Sequence, residues 1–209
     1  MTTLADIDVI RMALSGVVNK RLVSSFVAAG APAVGISGED AALIVAQPLD
    51  VGAFGHVGMP SQINVALIET LWRGGFLPVI SPLGANAAAI GTATQHVSHD
   101  IPPSGALNVN GDDAAAAIAV ALHADELLLI ADVAGVLDGA KQMIPELDVE
   151  RARVLIASGV AAGGMAAKLE AAHAALAGGV AKVRIADLSA LTDPSRGTVV
   201  TLASVGARS

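Results

Sequence analysis

An α/β fold with a mostly parallel sheet is predicted by three features of this 209-residue sequence. Short apolar runs that read as buried strands, such as Ala33 to Ser37, Phe76 to Ile80 and Lys182 to Ala186, alternate with Ala- and Leu-rich helical segments. Aromatic residues make up only 2% of a chain that is 54% hydrophobic, so the core must come from Ala, Val, Leu and Ile, which suits helices packed closely on a sheet. Strand and helix patterns succeed one another, which implies parallel strands covered on both faces and ligands at their carboxyl ends. With no internal repeat and no long linker, a single domain over residues 1–209 is expected.

Leu4 to Ser15 carries a near-helical stripe of Leu4, Ile7, Ile10, Met12 and Leu14, with Asp6 and Asp8 near its start, and Gly16 is expected to end it. Val17 to Ala29 reads as a second helix bearing Lys20 as a solvated charge, stopped by Gly30 and Pro32. Ala33 to Ser37 is a buried strand opening into Gly38-Glu39-Asp40. Ala41 to Ala46 and Phe54 to Val57 read as two further strands, with Pro48 and Gly52 marking the bend between them and His56 as a packing or surface residue. Ser61 is the expected N-cap of a helix running to Arg73, which Gly74-Gly75 close. The polar, Ala-rich residues 84–105 read as an enlarged hairpin loop. Its His96-x-x-His99 pair has only Asp100 nearby, so loop is the reading rather than metal site.

Leu107 to Gly139 packs two candidate sites into one stretch. Asn108-Val-Asn110-Gly111-Asp112-Asp113 opens an Ala-rich helix, with both aspartates in the first turn, where the macrodipole and unpaired N–H groups favour negative charge. Capping does not require Asn108 and Asn110, spaced to point the same way from a strand end, so the cluster reads as a capped turn or as a ligand site. An apolar strand then releases Asp132-Val-Ala-Gly135, and both polar clusters are expected at one rim of a sheet. Asp148 caps a helix through Ala157, and Gly159 starts a loop reaching Gly163-Gly164. The helix from Met165 to Ala177 carries Lys168, one of four lysines in the chain. A lysine near the positive end of a helix macrodipole is unfavourably placed unless an anion sits there. Spacing alone leaves a solvated lysine and an anion contact equally open. Lys182 to Ala186 and Thr198 to Leu202 complete the strands.

Charge and composition exclude several functions. A net charge of −7 and a pI near 5.0 argue against nucleic-acid or anionic-membrane partners, and a phosphorylated ligand would need local positive charge. Zero cysteines exclude disulfides, thiol catalysis and cysteine-bound zinc, and fit a reducing cytoplasm. A mean hydropathy of +0.66 raises the question of a membrane. The longest charge-free run, Gly74 to His99, is broken by Pro78, Pro82, Asn86 and Gln95, and Ala114 to Leu122 falls far short of the ~20 residues of a span. The N-terminal residues lack the basic region of a signal peptide.

Three segments resemble acetylglutamate kinases, a group of amino acid kinases, in residues, order and spacing: NVNGDDAAAAIA from Asn108, LLLIADVAGVLDG from Leu127, and SGVAAGGMAAKLEAAHAAL from Ser158 to Leu176. The likeness continues upstream through LSGVVNKRL, AVGISGED, GHVG and FLPVISPLG, covering nearly the whole chain from Asp6. It implies a three-layer sandwich of the amino acid kinase, carbamate kinase-like type, and ATP-dependent phosphorylation of the side-chain carboxylate of N-acetyl-L-glutamate in arginine biosynthesis. Lys168 matches the second of the family's two lysines, on the γ-phosphoryl side, and Asp112 the aspartate that organises them. Asn108 matches the asparagine that bonds the acetylamino acid, with Asn110 beside it on the substrate side. Asp132, Val133, Ala134, Gly135, Val136 and Leu137, together with Val160, Ala161 and Ala162, match segments lining the nucleotide. Mg²⁺ would be held through the ATP oxygens, with no separate protein metal site. The resemblance also implies a cytoplasmic homo-oligomer, commonly a dimer.

The family's opening strand with Lys-x-Gly-Gly, a later Gly-Gly loop and an arginine for the substrate carboxylate find no match in this sequence. The likeness enters just after that arginine, so Met1 is expected to be an internal methionine of a shortened enzyme that lacks the first strands and is impaired alone. Loss of one charge-neutralising group commonly costs about 10²-fold in rate. The alternatives are a kinase of a related acyl-amino acid, such as carrier-bound aminoadipate, and a non-catalytic nucleotide- or partner-binding module.

Overall fold

A reciprocal cap starts the first helix of the computed structural model: the Thr3 hydroxyl accepts from the Asp6 N–H at 3.2 Å, and the Asp6 carboxylate accepts from the Thr3 N–H at 2.7 Å. The structure describes residues 1–90 and 105–202. It divides into two units, Met1–Ala114 and Ala115–Ser209, with the division falling inside one helix.

In the first unit, α1 (Leu4–Arg11) runs through a π-helical turn, Met12–Val18, into α2 (Asn19–Ala28). Gly16, expected to end a helix, lies inside that wide turn. It does not take the left-handed φ that a glycine stop uses, so the two expected helices form one run. The buried Asn19 amide donates to Val79 O at 2.8 Å, and the Lys20 ammonium, expected to be solvated, donates to Gly35 O at 2.7 Å. These bonds set the helical run on β1 (Ala33–Ser37) and on the strand that holds Val79.

Several boundaries differ from expectation. Ala41 and Ala42 take φ of 50° in a tight turn, so the strand expected from Ala41 starts only at Ile44, as β2 (Ile44–Pro48). Where a bend and then a strand over Phe54 to Val57 are expected, Asp50 caps a one-turn helix, α3 (Val51–Phe54), and β3 follows as Val57–Ile63. Ser61 is therefore a strand residue and not an N-cap. The Ile44↔Ile63 pairing prolongs β3, the Ser61 hydroxyl donates to Val45 O, and α4 (Val65–Arg73) begins after Asn64. β4 (Leu77–Ser81), β5 (Leu83–Asn86) and β6 (Ala106–Val109) complete the strands of this unit. β1 and β4 pair in parallel from Ala33↔Leu77 to Ser37↔Ser81, while β2, β3, β6 and β5 close a small barrel. β5 and β6 are the antiparallel flanks of the expected hairpin. The part of that loop holding His96, His99 and Asp100 lies outside the described residues.

The division falls within α5 (Gly111–Ala121). The second unit continues with β7 (Glu126–Ile130), β8 (Glu146–Asp148), α6 (Val149–Ala157), α7 (Gly164–Ala177), β9 (Lys182–Ala186) and β10 (Thr198–Thr201). Its four-stranded sheet has the order β7-β9-β10-β8, parallel at β7/β9 and β10/β8 and antiparallel at β9/β10. Leu129, Leu147, Val183 and Ile185 are buried with Leu169, Ala171, Ala172 and Ala175 of α7. Alanine at three of those α7 positions leaves little side-chain bulk on the buried face, so the helix can sit close to the strands.

The architecture is the expected mixed α/β class with parallel strand pairs. One expectation fails: the two polar clusters leave different sheets, Asn108 and Asn110 following the barrel strand β6, Asp132 following β7. Among the described residues no helix is long and apolar enough to cross a membrane.

Candidate functional site

β7 ends at Ile130, and the Ala131 N–H is still tied to Ala186 O at 2.7 Å before the chain departs as Asp132 and Val133. Facing that departure is the start of α7. Gly163, at φ 54° and ψ −126°, takes a backbone conformation that side chains resist, and so turns the loop from α6 abruptly into the helix. Together these segments enclose a cleft of about 590 Å³ lined by Ile130, Ala131, Asp132, Val133, Ala162, Gly164, Met165 and Lys168. It lies at the carboxyl end of a parallel strand, where α/β sheets hold their ligands.

The electrostatics of the cleft come from α7. Its N-terminus carries no side-chain cap and no acid in the first turn, so the helix's own amides and macrodipole are presented there. Lys168, the fifth residue of the helix and half-buried, adds a full positive charge to the same wall. Asp132 is an exposed carboxylate on the facing loop. Such a wall is chemically suited to a multiply charged anion such as a polyphosphate.

The expected site residues are distributed unevenly. Asp132, Val133, Ala162 and Lys168 share the cleft. Ala134 and Val160 are exposed, Leu137 is half-buried, and Gly135 is buried beside it. Val136 and Ala161 pack into the hydrophobic core of the second unit. Ile130, Ala131, Gly164 and Met165 line the cleft without having been singled out by sequence, although the Gly163-Gly164 pair marks the turn that brings the last two there.

In the first unit, Asn108 is half-buried in β6, its N–H bonded to His56 O at 2.9 Å. Asn110 is the cap of α5: its side-chain oxygen accepts from the Asp112 and Asp113 N–H groups at 2.8 and 3.3 Å, and both aspartates occupy the first turn. Asp112 belongs to the first unit and Lys168 to the second. A further hollow of about 360 Å³ in the first unit is lined by Arg11, Ser15, Lys20, Ser37, Glu39 and Asp40. Its groups answer one another: the Arg11 guanidinium grips Glu39 through two bonds of 2.9 Å, which raises the Arg11 pKa further, and the Asp40 carboxylate accepts from the Ser37 N–H.

The model of the amino acid kinase family matches residues 1–187. The acetylglutamate kinase of Ruegeria sp. strain TM1040 is 39% identical over 208 residues, an alignment covering 96% of this chain and 67% of the relative. Across the first curated relatives the chain spans 57% to 67% of their length. Among solved structures, the smu.665 protein of Streptococcus mutans UA159 superposes with a TM-score of 0.81 at 28% identity, covering 97% of this chain and 74% of that one. The carbamate kinase of Giardia superposes with a TM-score of 0.64 at 19% identity, covering 96% and 73%, a likeness of fold alone. The family match takes in every residue of the cleft and reaches across both units, and the chain belongs to the amino acid kinase family.

Proposed function

We propose that residues 1–209 serve as one kinase domain that transfers the γ-phosphoryl group of ATP to the side-chain carboxylate of N-acetyl-L-glutamate, a step of arginine biosynthesis. The observation that carries this reading is Lys168 on the wall of a cleft whose other positive element is the uncapped, acid-free start of α7. The relatives that support the substrate are acetylglutamate kinases at 39–44% identity.

Transfer to a carboxylate requires little covalent work from the protein. An acceptor carboxylate oxygen bonds to the γ-phosphorus as the bridging oxygen leaves with ADP, and the obstacle is the mutual repulsion of two anions. Lys168 and the α7 amides lower that repulsion by holding positive charge beside the phosphates. The nucleotide would lie along Asp132 to Leu137 and Val160 to Ala162, with the fully buried members of those segments shaping the backbone rather than touching it. Asn108 and Asn110 take the acceptor side and Asp112 the organising role that the family likeness implies. Mg²⁺ would enter on the phosphate oxygens it neutralises. Among the described residues no three metal-ligating side chains cluster. A homodimer in the cytoplasm is the proposed working form, a cysteine-free chain of net charge −7 suiting a reducing compartment without nucleic-acid or membrane partners.

Two measurements on the same protein test this. Calorimetric titration with Mg·ATP is expected to show binding that Lys168→Ala weakens at least about tenfold, and a coupled ADP-release assay is expected to respond to N-acetyl-L-glutamate. Absence of nucleotide binding would sink the proposal. Binding without acceptor-dependent turnover would reduce it to a nucleotide-binding module.

A further inference from the structure

The loop that leaves β7 is fixed by a residue far away in sequence. After Asp132 and Val133 the chain folds back on itself: the Ile144 N–H donates to Val136 O at 2.8 Å, Leu137 and Met143 form an antiparallel bridge, and the Asp138 N–H donates to Gln142 O at 2.9 Å. An ordinary antiparallel pair would return a second bond, from the Val136 N–H to Ile144 O. Here a hydroxyl stands in that place. Thr198 Oγ1 accepts from the Val136 N–H at 2.8 Å and donates to Ile144 O at 2.6 Å. Thr198 is fully buried and opens β10 in register with Ile185 of β9, so the loop is anchored to the interior of the four-stranded sheet. Gly135 belongs to the same device, because a Cβ there would lie 2.7 Å from the Thr198 hydroxyl oxygen.

We propose that Thr198 is a positioning residue of the nucleotide cleft, its hydroxyl completing the backbone pairing that sets where the Asp132–Leu137 loop presents its cleft-facing residues. The loop is held at two points, by the Ala131 N–H bond to Ala186 O on one side of Asp132 and Val133 and by Thr198 on the other. Only a group that accepts and donates from one atom can serve at the second point. Valine has nearly the same volume and can do neither, so it would leave a buried N–H and a buried C=O to find other partners by moving the loop. The effect on binding rests on the nucleotide reading of the cleft given above; the bracket itself does not.

The test compares Thr198→Val, Thr198→Ser and the core variant Leu176→Ala in the full chain, each measured well below its melting temperature for Mg·ATP affinity by calorimetry and for amide hydrogen exchange at Val136. Thr198→Val is expected to raise Kd by about tenfold and to speed Val136 exchange. Thr198→Ser is expected to restore both, and Leu176→Ala to lower the melting temperature without moving Kd. If Thr198→Val does not fold, Gly135→Ala, whose methyl would push the hydroxyl aside, carries the same expectation. A wild-type chain that binds Mg·ATP alongside a Thr198→Val chain that binds it equally well overturns this proposal and leaves the nucleotide reading intact. A wild-type chain that binds none brings both down.

Discussion

The starts of α5 and α7 show two ways of finishing a helix N-terminus. α5 is closed by its own sequence: Asn110 caps two of its amides, and Asp112 and Asp113 set negative charge against the macrodipole. α7 has neither cap nor acid, begins with Gly163-Gly164, and adds Lys168 one turn in. The first is optimised for helix stability; the second forgoes stabilisation typically worth about 1 kcal/mol and leaves a positive wall on a cleft. The contrast teaches that two helix starts of one chain can be finished differently, one by its own cap and acids, the other at the wall of a cleft that also holds Lys168.

Three experiments break or sharpen that contrast, the strongest first. Lys168→Ala removes the full charge and should lower acceptor-dependent phosphoryl transfer by about 10²-fold or more, measured by a coupled ADP assay. Gly164→Asp gives α7 the kind of acid that α5 has. A side chain at Gly164 meets open space, so the variant should gain about 0.5 kcal/mol in urea unfolding while Mg·ATP affinity falls about tenfold. A gain in stability without loss of affinity would dissolve the contrast. Asn110→Ala should cost about 1 kcal/mol of stability as a lost cap, with nucleotide affinity unchanged. An added loss of N-acetyl-L-glutamate affinity would give Asn110 a second role at the acceptor.

The smallest effect concerns acid stability. The Ser189 hydroxyl and N–H hold the Asp187 carboxyl below its ordinary pKa of 3.8. A carboxyl depressed on folding contributes stability that is complete above the unfolded value and is lost as pH falls through the folded one. Melting curves of Asp187→Asn should therefore flatten slightly below pH 3.8 and match the wild type in shape near neutrality.

The second unit was the more legible part of the chain. β9 has the bounds expected for it, Asp148 caps α6 as expected, with its carboxylate accepting from the Arg151 N–H, and Lys168 faces a cleft beside Asp132 and Ala162. Local signals decide these elements. The first unit was less legible because tertiary pairing overrides local signals there. Pro60 has no N–H to give a ladder, yet β3 runs through it and the irregular register at Val45/Ala46 accommodates it. Ser61 reads as a cap, yet pairing with β2 continues to Ile63. Glycine punctuation misled at Gly16, where no left-handed turn is made. Thr198 was hidden for another reason: a threonine in a β strand is ordinary, and only the return of Ile144 toward Val136 reveals what its hydroxyl joins.

The wide turn Met12–Val18 sets the angular phase between the two halves of the first helical run. α1 buries Ile7 and α2 buries Asn19, and the i→i+5 spacing between them is what lets both residues face inward. Each residue of an α-helix advances the chain by roughly 100°. Twelve residues of plain α-helix would set Ile7 and Asn19 about 120° apart, and the slower advance of the wide turn takes up that excess, keeping the Asn19 amide on Val79 O and the Lys20 ammonium on Gly35 O. In this segment the pitch of a single turn decides which side of the helix meets the strands.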